Sequence, residues 1–303
     1  MPDEPATLHT AVRTVGIAAK QRLHEAADLL DTLASWLSAR GVEPVFDVDT
    51  ARIAASGGGH YRTATRDELP WLTDLVLVLG GDGTLLGMAD RIAQAGRDVP
   101  ILGVNFGGLG FLTEVTLPEL YPALESVVTG SAQVDERLML RCRILRHDTT
   151  VSEFCALNDV VVTRGSVSRV IDLSVWVDGQ FVARFKADGV IVSSPTGSTA
   201  YNLAAGGPIV CPTVDAFVLT PIAPHTLTHR PVVLPATSEV RIRPLRESAP
   251  QDVHATIDGQ ISCPVETDDV VAVQRHAVPL RLVRAATRNY FDVLRRKLRW
   301  AER

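Results

Sequence analysis

Cysteine is scarce in this chain of 303 residues, and its pattern excludes two classes of architecture. The four cysteines are Cys142, Cys155, Cys211 and Cys263. They include no CxxC pair and no other short spacing, so they indicate neither a disulfide framework nor a zinc ribbon. We expect reduced and mostly buried thiols, as in a cytoplasmic protein.

Long apolar runs and an excess of positive charge are also absent. No apolar run approaches the roughly 18 residues that a membrane helix needs, and residues 1–15 lack the apolar core of a signal peptide. The formal charge is −5, with 30 Lys and Arg against 35 Asp and Glu, whereas nonspecific duplex binding depends on many basic contacts to phosphate. We therefore expect neither a membrane nor a nucleic acid as a partner.

The sequence does contain the composition of a globular protein with about two domains. Hydrophobic residues make up 46% and charged residues 21%, close to the average of folded chains. The length is about twice the roughly 150 residues of a typical domain. This composition excludes a disordered, collagenous or coiled-coil chain.

Strand and helix signals alternate in the first half of the chain. A short apolar run over residues 15–19 predicts a strand, and apolar residues at helical spacing over 23–37 predict a helix that ends before Gly41. Residues 45–48 predict a second short strand, and the glycine-rich residues 54–59 predict a mobile loop. This alternation is typical of an α/β layer.

The same alternation continues through the next segment. Residues 75–79 are apolar at every position, as expected of a parallel strand that is covered on both faces. They lead directly into Gly80-Gly81-Asp82-Gly83-Thr84, after which a helix is predicted to about residue 95. A buried strand over 100–105 and a helix over 117–128 complete the predicted open α/β domain.

Closely spaced strand signals begin at about residue 139. The predicted strands are 140–145, 160–163, 170–177, 181–185 and 190–192. Asp178-Gly179, between two alternating runs, predicts a hairpin turn, and Asp258-Gly259 has the same dipeptide. Residues 289–300 return to a helical pattern, with Tyr290, Phe291, Leu294 and Leu298 on one face, and we expect this face to dock.

A glycine-rich turn that follows a buried parallel strand and opens a helix presents backbone N–H groups and a positive helix end to an anion. Residues 80–84 are therefore a candidate phosphate site, with a purely structural turn as the alternative. A Walker loop is excluded because none of the three lysines, Lys20, Lys186 and Lys297, follows a glycine. A dinucleotide fingerprint fits poorly because the next strand ends in Asn105, not in an acid.

Asp82 inside this turn points to phosphoryl transfer. A carboxylate in a pure phosphate cradle would repel the phosphates, whereas a carboxylate beside such a cradle is suited to deprotonating or orienting an attacking hydroxyl. A kinase of small hydroxylated substrates is the class that this arrangement favours. His225 and His229 stand four residues apart, but Pro221 and Pro224 disfavour a helix there, so we expect no protein-held metal.

The motifs resemble one family of kinases. Gly80-Gly81-Asp82-Gly83-Thr84 is similar to the GGDGT signature of NAD kinases, of diacylglycerol and sphingosine kinases and, more loosely, of phosphofructokinases. Five other stretches resemble NAD kinases specifically, in the family's order: 102–113, 156–159, 188–208, 220–227 and 294–300. The resemblance spans the chain from about residue 12 to its end.

The resemblance implies the roles of individual residues. Asp82 would accept the proton of the adenosine 2′-hydroxyl of NAD, beside a phosphate turn of Gly80, Gly81 and Thr84. The residues that would bind NAD are Gly83, Asn158, Asp159, Arg169, Lys186, Asp188, Thr199, Ala200, Tyr201, Asn202 and Gln260. Arg169 fits a solvent-facing strand position equally well. Asp159 departs from the family's usual glutamate, and Ser194 from its commoner threonine.

The resemblance also implies the fold, the reaction and the partners. We expect an α/β domain over residues 1–138, rejoined by residues 276–303, and a β-rich domain over 139–275. The expected reaction forms NADP from NAD and ATP, or another phosphoryl donor such as polyphosphate, with a divalent cation, Mg²⁺, on the donor phosphates. We expect a cytoplasmic homo-oligomer, dimeric or tetrameric. The alternatives are a lipid kinase that shares GGDGT and a noncatalytic dinucleotide sensor.

Overall fold

The structure is a computed structural model that describes residues 6–8, 11–20, 27–54, 61–165, 170–226, 228–245 and 253–300. The chain divides into two units. Unit 1 comprises Met1–Glu136 and Leu280–Arg303, and unit 2 comprises Arg137–Pro279. The sequence places the corresponding boundaries after residues 138 and 275.

The N-terminal part alternates strands and helices, as predicted. Its strands are β1 (Ala6–Thr7), β2 (Thr14–Ala19), β3 (Glu43–Asp47), β4 (Arg62–Ala64), β5 (Leu75–Leu79), β6 (Ile101–Asn105), β7 (Val115–Thr116) and β8 (Gln133–Arg137). Its helices are α1 (Ala27–Ser38), α2 (Val48–Ala54), α3 (Leu69–Leu72), α4 (Asp82–Gln94) and α5 (Leu120–Val128). A 3₁₀ turn over Leu117–Glu119 precedes α5.

The rest of the chain consists mainly of strands. These are β9 (Leu140–Arg146), β10 (Thr149–Ala156), β11 (Asp159–Arg164), β12 (Ile171–Val177), β13 (Gln180–Ala187), β14 (Gly189–Ser193), β15 (Ala216–Ile222), β16 (Val232–Pro235), β17 (Val240–Pro244), β18 (Val253–Ile257), β19 (Ile261–Val265), β20 (Asp269–Arg275) and β21 (Leu280–Val283). A 3₁₀ turn over Thr196–Thr199 leads into α6 (Tyr201–Ala204), and α7 (Tyr290–Leu298) lies near the C-terminus.

One sheet organises unit 1. Its described strands follow the order β1-β8-β21-β6-β5-β2-β3-β4, with β7 paired to β6. The six strands from β21 to β4 are parallel to one another. Every residue of β5 is buried, which confirms the prediction from its unbroken apolar run. The carboxyl ends of the parallel strands therefore meet at one edge of the sheet.

Unit 2 is a sandwich of two antiparallel sheets. One has the order β10-β9-β20-β17-β12-β13 and the other β16-β15-β14-β11-β18-β19. Alternate residues of both sheets share one core, such as Leu173 and Val175 of β12 with Val160 and Val162 of β11. Because side chains alternate along a strand, Val161 of β11 points to the opposite face of its sheet. The predicted fold class, an α/β part followed by a β-rich part, is confirmed.

Both Asp-Gly dipeptides form hairpin turns. Asp178 and Gly179 have φ of 50° and 77° between β12 and β13. Asp258 and Gly259 have φ of 50° and 65° between β18 and β19. Positive φ at both central residues defines the turn that suits twisted strands, and Asp-Gly tolerates it best.

Four local predictions require correction or extend outside the described residues. Val48 begins α2 and does not end β3. On α7 the buried residues are Val293 and Leu294, whereas Phe291 is 59% exposed and not part of the docked face. Residues 23–26 of the predicted first helix and 55–59 of the predicted loop lie outside the described ranges.

Within the described part of the chain, each helix is too short or too polar to cross a bilayer. All four cysteines are free thiols, with Cys142 and Cys155 buried and Cys211 and Cys263 partly exposed.

Candidate active site

The glycine-rich turn of unit 1 lies between β5 and α4. Helix α4 begins at Asp82, and Gly81 is its N-cap residue. A Cβ at Gly80 would lie 2.7 Å from Oγ1 of Thr84, so a side chain does not fit at the start of the turn. The turn therefore presents the N-terminal end of α4 at the carboxyl edge of the parallel sheet, where anions bind.

The carboxylate of Asp82 is held by the loop that follows β6. Its Oδ1 accepts hydrogen bonds from the backbone N–H of Leu112 (3.2 Å), from that of Thr113 (3.0 Å) and from the Thr113 hydroxyl (2.8 Å). Its Oδ2 accepts one from the backbone N–H of Phe111 at 2.8 Å. In the described part of the chain Oδ2 has this single donor, so it keeps a lone pair for a substrate hydroxyl.

The same loop is fixed at both of its ends. Asn105, the last residue of β6, donates from Nδ2 to the Thr113 hydroxyl at 2.9 Å, and its Oδ1 accepts the N–H of Gly107 at 2.8 Å. A Cβ at Gly110 would lie 2.0 Å from Oδ1 of Asp82. The loop and the carboxylate therefore fit together only because residue 110 is glycine.

Space remains open above the helix end. A Cβ at Gly81 or Gly83 would meet no atom of the described residues within 4 Å, and neither glycine has a positive φ. Neither internal packing nor backbone strain therefore requires glycine at these two positions. The open space at the N-terminal end of α4 suits the phosphates of a ligand.

Unit 2 contains a pocket of about 420 Å³. Its wall consists of Asn158, Asp159, Val161, Thr163, Ala200, Tyr201, Thr256, Asp258 and Gly259. Tyr201 is 45% exposed, and its aromatic ring offers a surface for stacking. Four predicted NAD contacts, Asn158, Asp159, Ala200 and Tyr201, are thus brought together.

Asp258 organises one side of this pocket, a role that we did not predict from the sequence. Its Oδ2 accepts the N–H of Leu157 at 2.8 Å, and its Oδ1 accepts those of Asn158 at 2.8 Å and Asp159 at 3.0 Å. The sequence shows only an Asp-Gly turn at this point. The pairing of β11 with β18 brings the turn to Asn158, so no local signal reveals the contact.

The turn after β14 fixes the other side of Asn158. The N–H of Ser194 donates to the carbonyl oxygen of Asn158 at 2.9 Å, and its hydroxyl donates to that of Leu157 at 2.5 Å. A Cβ at Gly197 would lie 2.0 Å from the Asn158 oxygen. The Ser194 hydroxyl thus makes the hydrogen bond to the Leu157 carbonyl oxygen. Glycine at position 197 permits the close approach of the turn to the Asn158 carbonyl oxygen.

Asp159 is a buried acid in the pocket wall. The residue is only 4% exposed. Burial raises the pKa of this carboxyl to about 7, and the nearby Asp258 carboxylate contributes to the rise. Asp159 therefore changes charge close to neutral pH.

Thr196, in the turn after β14, has a buried hydroxyl without a partner among the described residues. The residue is 6% exposed, and its Oγ1 finds no hydrogen-bond partner among the described residues. It precedes Gly197, which packs on Asn158. A buried hydroxyl costs free energy unless a ligand or water pairs with it, so Thr196 is a further candidate binding residue, one that we did not predict from the sequence.

Asn202 lies away from the pocket wall. Its Nδ2 donates to the carbonyl oxygens of Ser198 (3.1 Å) and Pro208 (3.0 Å), and its Oδ1 accepts the hydroxyl of Thr220 (2.6 Å). The residue is fully buried. The Asn202 amide therefore links three segments of unit 2 through these hydrogen bonds.

The remaining predicted contacts are dispersed. Thr199 is half-buried in the 3₁₀ turn, and Gln260 is exposed beside Gly259. Lys186 and Asp188 are exposed at the end of β13 and just after it, and neither lines the described pocket. Arg169 lies outside the described residues.

Metal binding by the protein itself would need clustered His, Cys, Asp or Glu side chains. The described residues include no group of three or more His, Cys, Asp and Glu side chains that is arranged to hold a metal ion. The ring of His229 packs edge-on against Phe185, with centroids 4.7 Å apart.

Two family models match the chain. The model described as the ATP-NAD kinase N-terminal domain matches residues 15–132. The model described as the ATP-NAD kinase C-terminal domain matches residues 157–285. The N-terminal match lies in unit 1 and the C-terminal match lies mainly in unit 2. Together the two matches cover most of the sequence.

Full-length relatives and solved structures agree with these matches. The NAD kinase of Geotalea daltonii is 44% identical over 292 residues, which are 96% of this chain and 100% of the relative. Yeast NADH kinase, solved in complex with NADH, has a TM-score of 0.87 at 27% identity and covers 97% of this chain and 89% of its own. An NAD kinase from Archaeoglobus fulgidus, solved with ATP, has the same fold, with a TM-score of 0.74 at 24% identity over 94% of this chain and 98% of its own.

Proposed function

We propose that this chain, which belongs to the NAD kinase family, transfers a phosphoryl group from ATP to the 2′-hydroxyl of the adenosine ribose of NAD and so forms NADP. Matches to both family domains and relatives of the same length support this activity. The chain is accordingly a kinase that acts on NAD.

The single observation that carries the proposal is the geometry of Asp82. Its carboxylate stands at the first turn of α4 with three donors on Oδ1 and one on Oδ2. The fixed orientation leaves Oδ2 able to accept a proton from a hydroxyl as that hydroxyl attacks a phosphorus atom. We propose that Asp82 orients and deprotonates the 2′-hydroxyl.

The pocket of unit 2 is proposed to hold the adenosine part of NAD. Tyr201 offers a ring to stack on the base, and the Thr196 hydroxyl needs a partner that a ligand supplies. Asn158 and Asp159 would contact the ribose, because their backbone is fixed on one side by Asp258 and on the other by Ser194.

The donor phosphates are proposed to lie above Gly81 and Gly83. The space there is open, and the N-terminal end of α4 favours an anion. A divalent cation, Mg²⁺, would neutralise charge on the transferred phosphoryl group, and the donor oxygens would hold it. NADP formation with each donor decides whether ATP or polyphosphate is the better phosphoryl donor.

We also propose a cytoplasmic homo-oligomer that supplies NADP to the cell. Four free thiols suit a reducing compartment. Val232 and Val233 are 41% and 54% exposed on β16, which lies at an edge of its sheet. An apolar edge strand of this kind is commonly covered by another chain.

The test is NADP formation by the purified full-length chain with NAD, Mg²⁺ and either ATP or polyphosphate. We expect NADP with at least one donor. Asp82→Asn should keep NAD affinity and lower kcat by about 10² to 10⁴. Asp98→Asn, which removes an exposed carboxylate of unit 1 paired with Arg281, is the matched control and should leave kcat unchanged. No NADP with either donor would refute the function, and wild-type kcat in Asp82→Asn would refute its mechanism.

A further inference from the structure

The C-terminal helix contacts the loop that holds Asp82. The ammonium of Lys297, in the last turn of α7, lies 5.6 Å from the centroid of the Phe111 ring. Both residues belong to unit 1. A cation within about 6 Å of an aromatic ring is attracted by the negative face of the ring.

Phe111 is the residue that determines where Oδ2 of Asp82 lies. Its backbone N–H donates to Oδ2 at 2.8 Å, whereas the other three donors, from Leu112 and Thr113, all meet Oδ1. A shift of the Phe111 backbone would therefore turn the oxygen that we propose as proton acceptor. Phe111 is partly exposed, and Lys297 approaches its ring from outside this loop.

Helix α7 is anchored independently of Lys297. The Asn289 side chain caps it by accepting the N–H of Asp292 at 3.1 Å, and Val293 and Leu294 are buried. Just before the helix, the guanidinium of Arg288 pairs with Glu119 at 2.8 Å. Removing the charge of Lys297 should therefore leave the helix docked.

Glu119 shows how firmly this anchor is built. Burial disfavours its ionised form, but hydrogen bonds from Thr287 and Thr116 and the charge of Arg288 outweigh burial and lower the pKa of Glu119 to about 2. The carboxylate thus stays charged and paired at any pH at which the enzyme would be assayed. The segment before α7 is held to the 3₁₀ turn that leads into α5.

We propose that Lys297 is a positioning residue for phosphoryl transfer: its ammonium holds the ring of Phe111, and the Phe111 N–H in turn holds Oδ2 of Asp82. The inference rests on the proposed role of Asp82. It predicts a change in kcat with little change in the KM of either substrate, because Lys297 acts on the orientation of the acceptor oxygen and not on binding.

The test compares four single variants of the full-length chain. Lys297→Met should lower kcat roughly two- to fivefold, as expected for the loss of an exposed cation–π contact. Lys297→Arg should restore wild-type kcat because a guanidinium also attracts the ring. Phe111→Leu, which keeps the N–H but loses the ring, should resemble Lys297→Met. Arg296→Met removes a neighbouring exposed charge of the same helix and should leave kcat unchanged.

A double variant separates the ring contact from a general effect of charge. If Lys297 acts through the ring, Lys297→Met should have no further effect in the Phe111→Leu background. A full additional loss there, a raised KM for the donor, or unchanged kcat in Lys297→Met would overturn the inference. Failure of the proposed function is distinct from this, because the wild-type chain itself would then form no NADP.

Discussion

The backbone N–H of Asn158 donates to Oδ1 of Asp258 at 2.8 Å, although 100 residues of sequence separate the two. The register of β11 against β18, in which Val160 pairs with Ile257, places them side by side. Two further hydrogen bonds run from Leu157 and Asp159 to the same carboxylate. A side chain in a hairpin turn thus sets the position of the pocket wall.

Asp258→Ala should therefore weaken NAD binding and lower stability. Three partly buried N–H groups would lose their acceptor, and each unsatisfied group costs about 1 to 3 kcal/mol. We expect the KM for NAD to rise about tenfold or more, with a smaller change in kcat and a lower Tm. Asp178 occupies the same position in the β12–β13 turn, where it accepts one N–H, that of Glu239, at 2.8 Å. Asp178→Ala is the control, and equal KM values in the two variants would contradict the assignment.

Asp159→Ala and Asp159→Glu test the contact with the ribose. Above the raised pKa of about 7, the ionised Asp159 can form a charge-assisted hydrogen bond, which is worth about 1.5 to 3 kcal/mol. Asp159→Ala should therefore raise the KM for NAD more than it lowers kcat. Asp159→Glu should be tolerated or bind NAD more tightly, because the sequence resemblance implies a glutamate at this position in the family. An unchanged KM in Asp159→Ala would leave Asn158 as the sole contact of this pair.

The raised pKa of Asp159 predicts how stability changes with pH. The folded protein keeps this proton up to a pH of about 7, whereas the unfolded chain releases it near the ordinary value of 3.8. The folded state therefore binds more protons in this window, and the free energy of unfolding falls as the pH rises through it. Urea unfolding of the wild type and of Asp159→Asn should show the wild type losing stability relative to the variant between about pH 4 and pH 8. Parallel curves would show that Asp159 titrates normally.

Gly110→Ala should disable catalysis without unfolding unit 1. The added Cβ would lie 2.0 Å from Oδ1 of Asp82, so the carboxylate must turn away from its donors. A misplacement of about 1 Å in a reacting group costs about 10² in rate, and kcat for NADP formation should fall by that order. Gly108→Ala adds a methyl group that meets no described atom within 4 Å, so it should leave kcat near that of the wild type. Similar kcat values in both variants would exclude the proposed fit.

Several features of the fold followed from local sequence. The apolar run of β5 predicted a buried parallel strand, and both Asp-Gly pairs adopt the positive φ that their chemistry favours. Periodicity failed on α7, where Val293 and not Phe291 faces the unit. A pattern of apolar residues gives the period of a helix, but which of two adjacent apolar faces is buried depends on the surface that it meets.

The sequence by itself determined the order of strands and helices, the glycine turn at Gly80 and the acid within it, because hydrophobic spacing and turn chemistry act over a few residues. Only the tertiary structure decided that Phe111 and Thr113 hold Asp82, that Asp258 holds Asn158, and that Asn202 is used within the fold. These contacts depend on which distant strands pair and in which register. The raised pKa of Asp159 has the same origin, because burial and a neighbouring carboxylate exist only once β11 and β18 have met.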